Sequence, residues 1–407
     1  MPVVVMLEAL AFGLDGLARA ARRADAELVL LTFDRPYYER GLAGAPGITV
    51  LDVDTFDIGA VRTALDGLRR VDGLISNTDT WAVTAETLAA ERGYQGVLRN
   101  AARLRDKAWV RQRLAAAGLS TLAALRAPQW LALPAGDRPE NCVVKDASGT
   151  SSRDVLLGGS AAEIETLIGE LAGRGLPPGR IVVEPYLRGP VYSAETCTTT
   201  DGTTLLGISG RTISELPDFR EIDVSYPVAP GSAWAARVAR WAAGVLAAVG
   251  RGTGLSHLEF IDTGASLEVV EVNSRLGGWL IGTGIELVTG VSPYDLLVSQ
   301  ALAPRLTGAA LERAAVPPRA AGFAQVAKYA GCTGPLGPVL GCDDLGGFPG
   351  DVAWHPILDP GDVVPVTTDQ RAAYGIVTAS GSSAGEALCR VRAAARQVRL
   401  ASGQTCR

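Results

Sequence analysis

The segment that decides the fold is "HLEFIDTGASLEVVEVNSRLGGWLIGTG", residues 257–284. It contains two runs in which apolar and polar residues alternate, separated by "DTGAS". Such alternation is typical of β-strands, and Asp, Gly and Ser favour a tight turn between them. We therefore predict a hairpin whose first strand carries Glu259. The second strand places Glu271, Asn273 and Arg275 together on one face.

Two interpretations of this hairpin are open. The simpler one is a decorated hairpin with a solvated polar face. However, carboxylates that face each other across two strands destabilise the sheet unless a cation lies between them. Carboxylate and amide oxygens are the ligands that Mg²⁺ prefers, so Glu259, Glu271 and Asn273 are candidate metal ligands. Arg275 lies one step along the strand, where it could bind a carboxylate or phosphoryl oxygen.

The composition excludes several classes of protein. The chain has 407 residues, 38 Lys and Arg against 43 Asp and Glu, and a net charge of −5, which disfavours nucleic-acid binding. Six cysteines without a CxxC pair and only two histidines disfavour a zinc site. Charges interrupt every apolar run, so we expect no membrane span and no membrane partner. We interpret the apolar N-terminus as a first strand rather than a signal peptide, and expect a cytoplasmic protein.

The pattern of elements changes along the chain. In the first hundred residues, buried strands alternate with helical patterns, which predicts a parallel α/β domain. No GxGxxG motif follows the first strand, so a dinucleotide site is unsupported there. The middle of the chain mixes short hairpins with helices, as an α+β domain does. The last hundred residues are richer in Gly and Pro and end in a helical pattern.

A second candidate site is "CVVKDASGTSSRDV", in which Lys145 ends an apolar strand. The small residues 147–153 could offer backbone N–H groups and hydroxyls to a phosphate. The loop has no GK[ST] and precedes a strand, so it is not a Walker motif. The alternative interpretation is an ordinary hairpin turn with an exposed lysine.

Taken in order, five motifs resemble those of the ATP-grasp superfamily of carboxylate–amine ligases, which includes biotin carboxylase and the L-amino acid ligases. They span most of the chain and read "DKAWVRQRLAAAGLS", "VVKDASGTSSRDV", "VVEPYLRGPVYSAE", "HLEFI" and "EVNSRLGG…TGVSPYDLL". The resemblance implies an N-terminal parallel α/β domain, a two-lobed ATP-grasp fold and a C-terminal α+β segment. The implied ranges are residues 1–105 for the N-terminal domain, 106–188 for the small lobe, 189–310 for the large lobe and 311–407 for the C-terminal segment.

The resemblance also implies roles for individual residues. The implied ATP-binding residues are Lys107, Lys145, Ser148, Gly149, Ser151, Ser152, Glu184, Tyr186, Leu187 and Glu195. The implied metal ligands are Glu259, Glu271 and Asn273. The implied catalytic residues are Lys145, Arg211 and Arg275. The implied substrate-binding residues are Arg275, His257, Gly277, Gly278 and Trp279. Arg211 stands where many relatives carry a lysine, and His257 could instead be a core histidine bonded to a backbone group.

The implied activity is ATP-dependent amide or dipeptide bond formation. The acid would be activated as an acyl phosphate and joined to an amine, with release of ADP and phosphate. The implied cofactors are ATP and two Mg²⁺ ions. Mn²⁺ is an alternative to Mg²⁺. The implied partners are a small carboxylate and a small amine, and relatives are commonly homodimers. The glycine-rich "NSRLGG" disfavours biotin carboxylase, where a Gln-Val-Glu-His run follows the arginine. A biotin carboxylase-like carboxylase, a non-catalytic ATP-binding relative and a metabolite-binding protein remain as alternatives.

Overall fold

The computed structural model describes residues 1–94, 100–228, 233–303 and 305–401. Its strands are β1 (Val3–Leu7), β2 (Glu27–Thr32), β3 (Ile48–Asp52), β4 (Gly73–Ile75), β5 (Leu125–Arg126), β6 (Cys142–Asp146), β7 (Val155–Gly158), β8 (Ile181–Pro185), β9 (Val191–Thr199), β10 (Gly202–Ile213), β11 (Glu221–Tyr226), β12 (Gly254–Asp262), β13 (Leu267–Asn273), β14 (Gly322–Tyr329), β15 (Gly334–Pro335), β16 (Val339–Leu340), β17 (Ala353–Pro356), β18 (Val363–Val364), β19 (Ala373–Gly381) and β20 (Arg399–Leu400).

The α-helices are α1 (Leu14–Arg23), α2 (Arg35–Ala43), α3 (Ile58–Gly67), α4 (Asp79–Arg92), α5 (Ala101–Leu104), α6 (Lys107–Ala116), α7 (Ala127–Leu131), α8 (Ala161–Gly173), α9 (Ala233–Ala248), α10 (Ile281–Thr289), α11 (Pro293–Leu302), α12 (Gly308–Arg313) and α13 (Ala384–Ala395). Within the described ranges, no helix is long and apolar enough to cross a membrane.

The N-terminal strands form a parallel sheet of order β3-β2-β1-β4. Val4 and Val5 of β1 are fully buried, as the continuous apolar run predicts. The predicted parallel α/β domain is therefore confirmed. Helix α2 was not predicted, because only Tyr38 of its residues is buried and no apolar stripe marks it. Its signals are local, since Asp34 caps its N-terminus and Pro36 follows.

Two large antiparallel sheets follow the N-terminal sheet, and the strand pairs β15–β18 and β16–β20 form two small ones. The smaller of the two large sheets has the order β5-β8-β6-β7 and packs against α7 and α8. The larger has the order β13-β12-β9-β10-β11-β14-β19-β17. Strands β14, β19 and β17, which lie in the predicted C-terminal segment, extend the large sheet beyond β11. The mixed α/β and α+β class predicted from the sequence is confirmed.

His355, in β17, is expected to make folding pH-dependent below neutrality. Burial lowers the pKa of His355 to about 4, from the 6.5 of a free side chain, and its Nε2 lies 3.0 Å from Thr378 Oγ1. The unfolded chain therefore takes up a proton near pH 6.5, whereas the folded chain takes it up only near pH 4. The stability that the neutral side chain contributes is complete above pH 6.5 and is lost as the pH falls towards 4, by about 3 kcal/mol.

Urea unfolding of the wild type and of a His355→Gln variant at pH 7 and pH 4.5 checks this expectation. The variant should lose about 2 kcal/mol less unfolding free energy between the two pH values than the wild type loses. Equal losses would show that His355 titrates normally in the folded protein.

Candidate active site

A cavity of about 690 Å³ opens where the N-terminal domain, both antiparallel sheets and the C-terminal segment meet. This volume is in the usual range for small-molecule sites. Twelve of the residues implied by the resemblance line it: Lys107, Lys145, Gly149, Ser151, Ser152, Arg211, His257, Glu259, Glu271, Arg275, Gly278 and Trp279. Most of the residues that were expected to meet metal, phosphate and substrate thus share one cavity.

The hairpin predicted from residues 257–284 is confirmed. Strands β12 and β13 pair antiparallel, with Glu259 opposite Glu271 and His257 opposite Asn273. A register shift between Glu259 and Phe260 interrupts the ladder. Phe260 is fully buried on the opposite side, so the alternation that the sequence suggested separates the core face from the cavity face.

Cations of this chain hold both glutamates of the hairpin. Lys107 Nζ lies 2.8 Å from Glu271 Oε1, and it also donates to the carbonyl oxygen of Gly149 at 2.8 Å. Glu259 Oε1 lies 3.1 Å from Arg211 Nη1 and 3.2 Å from His257 Nε2. Burial opposes the charged form of Glu259, but the nearby Arg211 and His257 hold its pKa far below the usual range. Glu259 is therefore ionised at neutral pH.

Arg211 and His257 belong to a buried network of charges behind Glu259. Arg211 pairs with Glu221, and His257 Nδ1 lies 2.9 Å from Glu195 Oε2. Burial would lower the pKa of His257, yet Glu195 and the hydrogen bonds to Glu195 and Glu259 raise it to about 9. The alternative of a core histidine bonded to a backbone group is wrong, because its partners are carboxylates.

Arg275 is anchored by the N-terminal domain. Its Nε donates to Asp79 Oδ1 at 2.7 Å, its Nη2 binds the other oxygen of Asp79, and its Nη1 donates to the Leu276 carbonyl. Asp79 is the first residue of α4 and lines the cavity with its neighbours Thr78 and Thr80. A bidentate pair fixes the plane of the guanidinium, so the N-terminal domain orients Arg275.

Lys145 lies inside β6 rather than at an exposed turn. It is 4% exposed and pairs with Glu184 of β8, which is 8% exposed. Glu184 also lies 3.8 Å from Arg111, and Arg111 binds Glu268 at 3.2 Å. The alternative of an exposed lysine is therefore wrong. Burial lowers the pKa of Lys145 despite the opposing charge of Glu184.

The loop of residues 147–153 is folded against three parts of the chain. Lys107 binds the carbonyl of Gly149, Ser152 Oγ donates to the Phe219 carbonyl at 2.9 Å, and Gln370 N donates to the Ser151 carbonyl at 3.2 Å. Ser151 and Ser152 both adopt a φ of 58°. This left-handed backbone turns successive peptide groups, which is the geometry of anion-binding loops.

Several residues implied by the resemblance lie outside the lining of this cavity. They are Ser148, Glu184, Tyr186, Leu187, Glu195, Asn273 and Gly277. Tyr186 packs edge-on against Phe219, with ring centroids 6.2 Å apart. Gly277 contacts His257, since a Cβ at this position would lie 3.0 Å from the ring Nδ1. Glu184 lies beside a second, much smaller cavity, together with Lys107 and Glu271.

The donor set suits a hard cation. Glu259 and Glu271 are opposed across the hairpin and face the cavity, and Asn273 lies on the same side of β13 as Glu271. The Nδ2 of Asn273 is buried without a hydrogen-bond partner. Among the residues described, no group of three or more His, Cys, Asp or Glu side chains could hold a metal ion. The two carboxylates that face the cavity are hard ligands of the kind that Mg²⁺ takes together with water and phosphate oxygens, and the Asn273 ligand stays a prediction because Asn273 does not line the cavity.

Sequence reasoning missed the partners that fix the site. Asp79 follows β4 in "SNTDTW", at the carboxyl edge of a parallel sheet, where ligand-binding residues often lie. Its position at this edge could have identified Asp79 as a candidate site residue. Glu221 and Arg111 had no comparable signal, because each lies in an amphipathic element with ordinary spacing.

Comparison with known proteins agrees with this fold. Residues 329–401 match the family model of the L-amino acid ligase C-terminal domain 2. The L-amino acid ligase from Bacillus licheniformis superposes with a TM-score of 0.83 at 17% identity, covering 99% of each chain. Phosphoribosylglycinamide synthetase from Anaerococcus prevotii gives 0.73 at 13% identity, over 98% of this chain and 99% of that one. Biotin carboxylase from Campylobacter jejuni gives 0.71 at 13%, over 98% and 92%. A sequence search of curated proteins gave no match.

Proposed function

We propose that this chain, which has the ATP-grasp fold and a C-terminal segment of the L-amino acid ligase type, is an ADP-forming ligase that joins a carboxylic acid to an amine. One observation carries the proposal. Glu259 and Glu271 oppose each other in a cavity that also contains Lys107, Lys145 and Arg275. Such a combination of hard anionic ligands and fixed cations suits a nucleoside triphosphate and its metal.

In the first step, an oxygen of the acid attacks the γ-phosphorus of ATP, and the bond from that phosphorus to the β,γ-bridging oxygen breaks. ADP leaves and the acid becomes an acyl phosphate. Lys107 and Lys145 offset negative charge on the phosphates, and Arg275 binds the acid or the transferred phosphoryl group. Mg²⁺, held by Glu259, Glu271 and Asn273, would supply neutralisation of the phosphate charge when bound.

In the second step, the nitrogen of a neutral amine attacks the acyl carbon. The bond from that carbon to the phosphate oxygen breaks, phosphate leaves, and the nitrogen loses a proton to become an amide. Residues 147–153 and Gln370 cover one side of the cavity through the Ser151 contact, which limits the access of water to the acyl phosphate. Natural-product assembly is the role we propose for such a product.

The full complement of charged groups supports catalysis over a binding-only relative. Arg275 is held bidentately by Asp79, and Lys107 spans from Glu271 to the loop at Gly149. Fixed, oriented charges are what phosphoryl transfer requires of the protein. A protein that only binds ATP has no need of an arginine held beyond the metal ligands.

The test measures phosphate release from MgATP with carboxylic acids and amines, singly and in pairs, with mass spectrometry of the products. We expect ADP, phosphate and a dehydrated adduct to appear together and only with an acid–amine pair. An acid with hydroxylamine should give phosphate and a hydroxamate. Bound ATP without phosphate release across the panel would contradict a ligase and favour a binding-only relative.

A further inference from the structure

One end of the cavity is lined by apolar side chains that the proposed phosphoryl chemistry does not use. We call this region the apolar pouch, and its residues are Phe12, Tyr37, Trp279, Ile357 and Leu358. Phe12, Trp279 and Ile357 pack against one buried cluster centred on Leu280, Phe323 and Ile376. Three of the five pouch residues therefore rest on the core.

The N-terminal and C-terminal walls of the pouch are fastened to each other. Phe12 follows β1 and Tyr37 lies in α2, whereas Ile357 and Leu358 follow β17. Arg40 of α2 donates to the Pro356 carbonyl at 2.8 Å and pairs with Asp359 at 2.5 Å. Ile357 N and Leu358 N both donate to the Tyr374 carbonyl, at 3.0 and 3.2 Å. These bonds fix the shape of the pouch without a ligand.

The third wall begins next to the proposed acid-binding residue. Trp279 lies four residues after Arg275 and has a φ of 52°, which is unusual for a bulky side chain. The backbone there is retained by the bond from Leu280 N to Gln325 Oε1, at 3.1 Å. Arg275, the residue that would bind the carboxylate, is therefore close in the chain to Trp279, which forms this wall of the pouch.

The carboxylates of the cavity offer no unpaired partner to a cationic group in the pouch. Each carboxylate that lines the cavity already pairs with a cation of this chain: Asp79 with Arg275, Asp146 with Arg180, Glu221 and Glu259 with Arg211, and Glu271 with Lys107. A charged group moved from water into an apolar wall without a partner is strongly disfavoured. An apolar body gains from the same transfer.

We propose that the pouch receives the body of the acid substrate, and that this acid carries a bulky apolar or aromatic group. The inference rests on the proposed function for the assignment of the acid to Arg275. The new element of the inference is that Phe12, in the N-terminal domain, and Leu358, in the C-terminal segment, determine which acid is bound.

The test compares acids of one head group in the hydroxamate assay. We expect kcat/KM to rise about fourfold for each methylene buried, so 3-phenylpropionate should exceed acetate by at least a hundredfold. Succinate should react poorly. A comparison of phenylalanine with 3-phenylpropionate shows whether the preferred acid also carries an amino group. Activity with either acid supports the pouch. A preference for acetate or succinate over both would overturn it.

Two variants separate the pouch from general effects on folding. Leu358→Phe should fill the pouch, lowering kcat/KM for 3-phenylpropionate at least tenfold and by more than it lowers kcat/KM for butyrate. Phe12→Ala should raise KM for 3-phenylpropionate. The matched control is Phe33→Ala, since Phe33 is another aromatic residue after an N-terminal strand, 49% exposed and outside the cavity lining. Equal effects of Phe12→Ala and Phe33→Ala would contradict the inference.

A binding measurement distinguishes failure of the pouch from failure of the ligase. Saturation-transfer NMR with 3-phenylpropionate, MgADP and wild-type protein should show transfer to the phenyl protons, and Leu358→Phe should abolish it. Transfer without any hydroxamate would uphold the pouch and reject the ligase chemistry. Hydroxamate formation without phenyl transfer would uphold the ligase and reject the pouch.

Discussion

A Glu271→Gln variant is expected to keep its fold and lose turnover by on the order of 10²–10³-fold. Glutamine has the shape of glutamate and can still accept the hydrogen bond that Lys107 Nζ makes to Glu271 at 2.8 Å. Lys107 also keeps its bond to the Gly149 carbonyl. The change therefore removes one negative charge from the proposed metal site and little packing. Phosphate release with a productive acid–amine pair, measured at saturating Mg²⁺, gives the loss.

The matched control for this variant is Glu91→Gln. Glu91 pairs with Arg62 on the surface at 3.0 Å, with both side chains more than 40% exposed. Removal of this carboxylate should leave both turnover and the thermal midpoint unchanged. If Glu271→Gln retained more than a tenth of wild-type turnover with its fold intact, the proposed metal-binding role of Glu271 would be wrong.

The sequence predicted the local geometry of the site because alternation fixes strand faces. The period of two in residues 257–273 sufficed to place Glu259 opposite Glu271, since a short turn sets the register of a hairpin. The same reasoning placed the lysine and the loop of residues 145–153 in neighbouring positions. Contacts within a supersecondary unit follow from propensity and periodicity alone.

The partners across the fold could not be predicted in this way. Asp79 and Arg275 are separated by 196 residues, and nothing in either segment names the other. The extension of the large sheet by β14 depends on tertiary packing, because the pairing of β11 with β14 joins segments about a hundred residues apart. Helix α2 escaped prediction for a related reason, as it buries little and is set by its cap. Its residue Tyr37 nevertheless lines the pouch, and its residue Arg40 binds the segment that follows β17.

The site is an arrangement of compensated charges rather than an anionic patch. Lys107 bridges Glu271 and the loop, while Arg211 stands between Glu221 and Glu259. Carboxylates placed so close together would repel one another without these cations. The metal would therefore enter a site whose carboxylates are already paired and oriented, and Arg211 holds Glu259 from the buried side.

A Glu184→Gln variant is expected to lose about 3–5 kcal/mol of unfolding free energy, because it leaves the buried ammonium of Lys145 without its counter-ion. Lys107 and Arg111 both lower the pKa of Lys145 further, so neither can replace Glu184. A double variant, Lys145→Met with Glu184→Leu, removes both charges and should recover most of that stability. Arg111 keeps Glu268 at 3.2 Å and the Val269 carbonyl at 2.6 Å in either protein.

The double variant should recover its stability and yet release no phosphate from MgATP, because Lys145 is proposed to neutralise the phosphates rather than only to balance Glu184. Chemical denaturation gives the stability of each protein, and the phosphate assay gives its turnover. A surface control is Glu165→Gln, whose partner Arg138 lies at 2.9 Å and whose side chain is 57% exposed, so its loss should be below about 1 kcal/mol. If the double variant were as active as the wild type, Lys145 would have a structural role alone. If Glu184→Gln were as stable as Glu165→Gln, Lys145 would be uncharged in the folded protein, and its proposed contact with phosphate would lose its electrostatic basis.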